Sequence, residues 1–252
     1  MPEWLGYVAL FASGAVAGAL NVVAGGGSFL TLPVLIFLGL PATVANATNR
    51  VGILAQNVGA VWGFHRHRVL AWRWALAAAG PAVVGSVLGT WAALEVSDEA
   101  FRKILAFLMV AITLWSLLSR SGSGVVIGAL PPRPGGRRLA VLAGGFFAVG
   151  IYGGFVQAGV GFLILAVTTF AGLDLVRGNA IKVTIALLFT AISLAIFAWQ
   201  DMVEWLPGAA LGAGNLAGGL VGVRLTVLKG HAWIKGVVTV TVILFAVLLW
   251  FG

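Results

Sequence analysis

The chain has 252 residues, 61% of them hydrophobic and 9% charged, with a mean hydropathy of +1.08. Charged residues alone usually make up about 25% of a soluble domain, so a water-soluble globule is excluded. Fifteen Lys and Arg against seven Asp and Glu give a formal +8, which would point to nucleic acid in a soluble chain but here has first to be placed relative to a bilayer.

In chain order, apolar runs of the about 20 residues that a helix needs to cross a membrane are predicted at 4–24, 42–63, 72–94, 100–118, 138–157, 176–199, 205–226 and 232–251. Two shorter apolar stretches, 28–38 and 162–171, each measure about 11 residues, or roughly 16 Å of helix. They reach only half way through a hydrocarbon core. The runs lack the alternation that barrel strands require. Glu3, the absence of a basic n-region and the length of the first run speak against a signal peptide.

The order of long and short runs repeats at an offset near 133. At that spacing Ala24-Gly25-Gly26-Gly27 falls on Ala158-Gly159-Val160-Gly161 with a one-residue gap, Asn46-Ala47 on Asn179-Ala180, Trp72 on Trp205, and Gly85 and Gly89 on Gly218 and Gly222. Two units are therefore expected, 1–118 and 138–252, joined by a polar linker at 119–137 that contains SGSG and PPRPGG. Lys and Arg accumulate in cytoplasmic loops, and this tests the relative orientation of the units. Loop 64–73 carries Arg66, Arg68 and Arg73, while its mate near 200–205 carries Asp201 and Glu204; loop 95–103 holds three acids and two bases, while its mate at 224–235 holds Arg224, Lys229 and Lys235. Equivalent loops thus lie on opposite sides. The expected fold is an all-α polytopic membrane protein made of two inverted repeats of about five helical segments, each with a broken or half-length helix pair. Both termini then lie outside and the linker is cytoplasmic. Eleven of the fifteen cations and one acid, Asp174, fall inside, and Arg102 and Lys103 with the other six acids fall outside.

Non-helical backbone survives at membrane depth only where protein buries it or water reaches it. AGGGS at 24–28 and QAGVG at 157–161 are candidates for such breaks. Gly25, Gly26 and Gly27 permit a tight turn, after which Ser28 can cap a half-helix whose free N–H groups attract an anion. The competing reading is close helix packing, as for Gly14 and Gly18; duplication ahead of two undersized segments favours the break. The second constellation is Asn46, Thr48, Asn49 and Arg50, with Asn179 and Lys182 as its mate. Both cations lie roughly 13 Å into their helices, and an ionisable group at that depth costs at least ~2.5 to 3.5 kcal/mol. No carboxylate stands nearby in either helix. An anionic substrate can supply the counter-charge, with the asparagines donating to its oxygens; alternatively the cations snorkel or bond to helix C-terminal carbonyls.

Gln56, Asn57, Gln157, Thr184, Thr190, Ser193 and Asn215 fit either a pathway lining or interhelical hydrogen bonds. Asn21 and Gln157 immediately precede the breaks. Trp4, Trp62, Trp72, Trp205 and Trp250 stand near segment ends, as an interfacial belt requires. With no cysteine, and with His65, His67 and His231 in basic loops, neither a metal site nor a cofactor is expected.

The stretches NVVAGGGSFLTLPVL, GLPATVANATNRVGILAQN, GIYGGFVQAGVGFLIL and GNAIKV resemble the TauE/SafE family of sulfite and organosulfonate exporters. The resemblance covers nearly the whole chain, in order in both halves. It implies an inner-membrane permease for small sulfur-containing or carboxylate anions such as sulfite and sulfoacetate, with the lipid bilayer as its surroundings and no nucleic acid partner. The expected substrate site comprises Asn21, Gly25, Gly26, Gly27, Ser28, Asn46, Thr48, Asn49, Arg50, Gln157, Gly159, Gly161, Asn179 and Lys182. Val160 in place of a glycine and Lys182 in place of the Asn-Arg pair make that site only pseudo-symmetric. Export is the expected direction and an uptake permease the alternative. An intramembrane enzyme using Ser28 lacks a base at depth, and a purely structural role leaves the duplicated cations unexplained.

Overall fold

The computed structural model describes residues 3–118 and 136–251, with backbone alone over 230–239 and 241–251 and at a few residues beside the linker. Most of the expected linker, and the side chains of His231, Lys235 and Trp250, lie outside the described residues. Every regular element among those residues is an α-helix. The helices are α1 (Glu3–Val23), α2 (Ser28–Phe37), α3 (Ala42–Arg66), α4 (Trp72–Leu94), α5 (Asp98–Leu118), α6 (Gly136–Phe155), α7 (Val160–Phe170), α8 (Leu175–Trp199) and α9 (Trp205–Phe251).

Among the described residues, four of the anticipated spans are long and apolar enough to cross a membrane by themselves: Trp4–Val23, Trp72–Leu94, Leu175–Trp199 and Trp205–Lys229. The chain is a multi-pass helical membrane protein. Helix α3 differs because it carries Asn46, Asn49, Arg50, Gln56 and Asn57, all buried inside the protein. Its polar face is shielded from lipid by the helices around it. A second difference concerns 205–226 and 232–251, anticipated as two segments but forming one 47-residue helix. The first half interrupts its helices at Glu95-Val96-Ser97, where Ser97 Oγ accepts from the Ala100 N–H at 3.4 Å to start α5. The matching Leu228-Lys229-Gly230 offers no such capping side chain.

Small residues allow the helices to pack backbone to backbone. A Cβ on Gly14 or Gly18 of α1 would strike Leu211 and Asn215 of α9, and one on Gly214 or Gly218 would strike Phe11 and Ala15. Residue numbers rise together along this contact, so α1 and α9 run parallel. In the same way Gly85 and Gly89 of α4 meet Phe147 and Ile151 of α6, and Gly150 and Gly154 meet Ala82 and Ser86, a second parallel pair. The central helices α3 and α8 run antiparallel. Arg50, near the start of α3, lies over Phe197 at the end of α8, while Ala60 and Phe64 cluster with Ala180 and Val183. Outward-facing apolar side chains such as Val8, Phe11, Val84, Phe107 and Leu220, and the exposed rings of Trp4, Trp62, Trp72 and Trp205, complete a surface suited to lipid.

The backbone repeats as the sequence does. Among the described residues six have positive φ, and they fall into three pairs: Gly25 with Gly159, Gly39 with Gly172, and Arg68 with Asp201. The spacing is 134 in the first pair and 133 in the others. Gly25 (φ +102°) and Gly159 (φ +70°) turn the chain ahead of the two half-length helices, and Gly39 and Gly172 terminate them. There the Leu40 N–H reaches Leu35 O and the Leu173 N–H reaches Thr168 O, the six-to-one bond of a glycine-terminated helix. The N-cap of α2 is Gly27, with no side-chain cap. Ser28 is therefore the first helical residue rather than the anticipated cap, because Gly27 already has helical φ and ψ (−57°, −33°) and the glycine turn ends one position earlier.

Candidate substrate site

The two breaks meet in the middle of the molecule. A Cβ on Gly161 would fall 2.4 Å from Gly25 Cα, and one on Gly25 2.7 Å from Gly161 Cα. The rings of Phe29 and Phe162 stand 6.2 Å apart just beyond. This contact holds the starts of α2 and α7 against one small cavity of about 10 Å³, the space of about one water. Asn21, Ser28, Gln56, Asn57, Gln157, Gly161 and Lys182 line it, with Ile53, Val160, Val183 and Ala186. None of these is a carboxylate. The first N–H groups of the half-helices are largely taken by turn carbonyls, Phe29 N–H by Gly26 O at 3.1 Å, Leu30 N–H by Gly27 O at 3.0 Å and Phe162 N–H by Gly159 O at 3.0 Å. The helix starts therefore turn toward the cavity mainly the positive ends of their dipoles, beside the Lys182 amine.

The cations cap helix ends. Lys182 Nζ donates to Asn21 O at 2.7 Å, to Val22 O at 2.8 Å and to Asn179 Oδ1 at 2.6 Å. Arg50 Nη2 donates to Gly154 O at 2.6 Å, and Nη1 to Gly153 O at 3.0 Å and to Gln157 Oε1 at 3.5 Å. The guanidinium also lies 4.9 Å from the Phe197 ring centroid. Asn179 Nδ2 donates to Val23 O at 3.1 Å, and Asn46 Nδ2 to Phe155 O at 3.0 Å. Each half thus sends one cation and one asparagine to the last carbonyls of the helix that precedes the other half's break. Those carbonyls have no partner within their own helix, and a cation is favoured there by the dipole. Of the readings open from sequence, binding to helix C-terminal carbonyls describes both cations here. Only Lys182 also lines the cavity.

The fourteen anticipated residues separate into four sets. Asn21, Ser28, Gln157, Gly161 and Lys182 come together at the cavity, whereas Gly25, Gly26, Gly27 and Gly159 form the breaks behind it. Gln157 Nε2 donates to Thr190 Oγ1. Asn46, Asn49, Arg50 and Asn179 are buried outside the cavity lining, and Asn49 Oδ1 accepts from Thr31 Oγ1 at 2.7 Å. Thr48 lies elsewhere, its Oγ1 accepting the Glu204 N–H at 3.0 Å beside the start of α9. Gln56 and Asn57, which fit either a pathway lining or interhelical hydrogen bonds and are not among the expected site residues, belong to the lining. Their signal was helical spacing: Asn46, Asn49 with Arg50, Ile53, and Gln56 with Asn57 recur every three or four residues along one face of α3.

Known proteins agree with this architecture. The family model described as "Sulfite exporter TauE/SafE" matches residues 10–249. A "Probable membrane transporter protein" of Haemophilus influenzae is 28% identical over 235 residues, covering 92% of this chain and 89% of that protein. The "Probable membrane transporter protein YfcA" of Escherichia coli is 29% identical over 234 residues, with 92% and 84% covered. "Probable membrane transporter protein ORF9" of a Sinorhizobium species is 27% identical over 240 residues, with 94% and 90% covered. No solved structure matches the chain. A family match over nearly the full length, relatives aligned end to end and a polytopic helical fold lead to one assignment: the chain belongs to the TauE/SafE sulfite exporter family of membrane transporters.

Proposed function

We propose that this transporter moves small sulfur-containing anions, sulfite or organosulfonates, outward across the inner membrane by alternating access at the cavity between the two breaks. The observation that carries this reading is the convergence of two half-helix starts and Lys182 on one buried space lined by no carboxylate. A substrate oxyanion would find the positive ends of two helix dipoles and a cationic side chain there. The cavity in this structure is smaller than any such anion, so this conformation is an occluded one, and loading requires α2 and α7 to part.

Two inverted repeats, 1–118 and 138–252, would supply the moving parts. The paired positive-φ residues and the opposite directions of α3 and α8 support that arrangement, which recurs among transporters with midplane sites. Arg50 and Lys182 tie each unit to the other's broken helix, and rocking of one unit against the other would exchange the Lys182 bonds. The amino terminus lies outside in this scheme, with the linker and the basic loop of Arg66, Arg68 and Arg73 in the cytoplasm. Because α9 is unbroken from Trp205 to Phe251, it makes no return crossing, and the outside carboxyl end expected from two separate segments does not form part of the scheme. An inside-negative potential of ~100 mV favours the exit of each negative charge by about 2.3 kcal/mol, enough to drive efflux without a coupled ion.

The test is flux of sulfite, methanesulfonate and acetate in proteoliposomes of the purified chain at imposed potentials of either sign. Efflux that accelerates with inside-negative potential supports export. Flux that requires an opposing ion gradient into the vesicle supports uptake instead, and no flux of any anion refutes the transport reading.

A further inference from the structure

Nothing in the family match assigns individual donors, but the buried amides around the cavity form a directed chain. Asn21 Nδ2 donates to Gln56 Oε1 at 3.1 Å, and Gln56 Nε2 donates to Asn57 Oδ1 at 3.2 Å. Both oxygens are thereby occupied. The group left over is Asn57 Nδ2, which is buried without a hydrogen-bond partner on a residue that is 1% exposed and lines the cavity. A buried amide donor left unpaired costs roughly 1 to 3 kcal/mol, so a site that keeps one gains when a ligand acceptor arrives.

The repeat mate of Asn57 makes the contrast. Offset by 133, the equivalent position is Thr190, also fully buried, whose hydroxyl oxygen accepts from Gln157 Nε2 and which does not line the cavity. One half therefore engages this position with a side chain of its own, and the other leaves an amide N–H unpaired on a residue that lines the cavity. We infer that Asn57 is a substrate-binding donor to an oxygen of the transported oxyanion, held in orientation by the Asn21–Gln56 relay, and that the first half supplies this contact alone. The inference rests on the transport reading above and deepens it. Asn21 acts twice: its backbone carbonyl receives Lys182, and its side chain starts the relay. The cation and the amide donor are thus referenced to the same turn of α1, immediately before the break.

The experiment measures stabilisation of the purified full chain by sulfite and by methanesulfonate, followed as a shift in melting temperature against anion concentration. Asn57→Leu is expected to weaken binding about 10-fold or more, the loss of one hydrogen bond to a charged group, whereas Thr190→Val weakens it by less than about 3-fold. Asn57→Ser, shorter but still polar, gives the same loss and serves if the leucine variant does not fold. Asn21→Ala keeps the carbonyl used by Lys182 but removes the first donor of the relay. Its effect on flux should fall on KM more than on maximal rate. Asn57 variants that bind both anions like the wild type, or a Thr190→Val loss equal to that of Asn57→Leu, overturn the inference alone. A wild-type chain stabilised by neither anion overturns the donor and the transport site together.

Discussion

The two ends of the broken helices use the same device with different side chains. At the end of α6 the carbonyls of Gly153 and Gly154 receive the fork of Arg50, which is stacked on Phe197 and lies away from the cavity. At the end of α1 the carbonyls of Asn21 and Val22 receive the three-proton ammonium of Lys182, which borders the cavity. A guanidinium is planar and rigid and suits a permanent clamp, whereas an ammonium is a compact charge whose donors can turn to a new acceptor. At the offset of 133 Lys182 falls on Asn49 rather than on Arg50, so the two halves reach the same device from positions one residue out of register. Under the proposed function Lys182 would exchange a carbonyl for a substrate oxygen while Arg50 keeps its helix end closed.

Removing each cation should separate the two roles. Lys182→Met is expected to cut sulfite flux at least about 30-fold, the order expected when one partner of a buried charged contact is removed, while the protein still reaches its folded form on size exclusion. Arg50→Met should act on stability first, costing about 1 to 3 kcal/mol because Gly153 O loses its donor while Gly154 O keeps that of Thr90 Oγ1 at 3.2 Å, read as a fall in melting temperature without ligand. Equal effects of the two variants on both readouts would erase the distinction.

The glycine contact between the breaks probes the ground on which both halves meet. Gly161→Ala places a methyl group 2.4 Å from Gly25 Cα, against backbone that can yield only by separating α2 from α7. Transport should fall by about 10-fold or more as the helix starts lose their common focus, on the order of the rate cost of a 1 Å misplacement. Gly39→Ala is the contrasting control: Gly39 has positive φ (+101°), unlike Gly161, but meets nothing within 4 Å, so it should cost about 1 to 2 kcal/mol of stability from the backbone alone and leave the contact between α2 and α7 intact. The smallest effects belong to the asparagine pair. Asn46→Ala and Asn179→Ala each remove one carbonyl contact, so about 1 kcal/mol is expected from the first. The second should cost more, because Asn179 Oδ1 also accepts from Lys182.

Much of this was legible in the sequence because duplication turns weak signals into paired ones. The glycine breaks, the half-length helices that follow them, and the depth of Arg50 and Lys182 could all be read from spacing near 133. The division between the cations could not, because both lie equally deep and both follow an asparagine. Which one faces the cavity depends on where the end of the opposite broken helix falls, a contact between residues more than 100 positions apart. Ser28 was misjudged as a cap for a local reason: a run of three glycines can end its turn at any of them. The join between 205–226 and 232–251 was misjudged because separate apolar runs do not require separate helices when no capping residue stands between them. The roles of Gln56 and Asn57 were partly visible in the helical spacing on α3, but not the direction of their hydrogen bonds.

The most direct test of the account is sulfite-dependent thermal stabilisation measured side by side on the wild type, Lys182→Met and Arg50→Lys. The account predicts that sulfite raises the melting temperature of the wild type and of Arg50→Lys, whose unliganded stability is lower, and leaves Lys182→Met unmoved. A sulfite shift retained in Lys182→Met but lost in Arg50→Lys would contradict it, placing the substrate at the arginine and the clamp at the lysine.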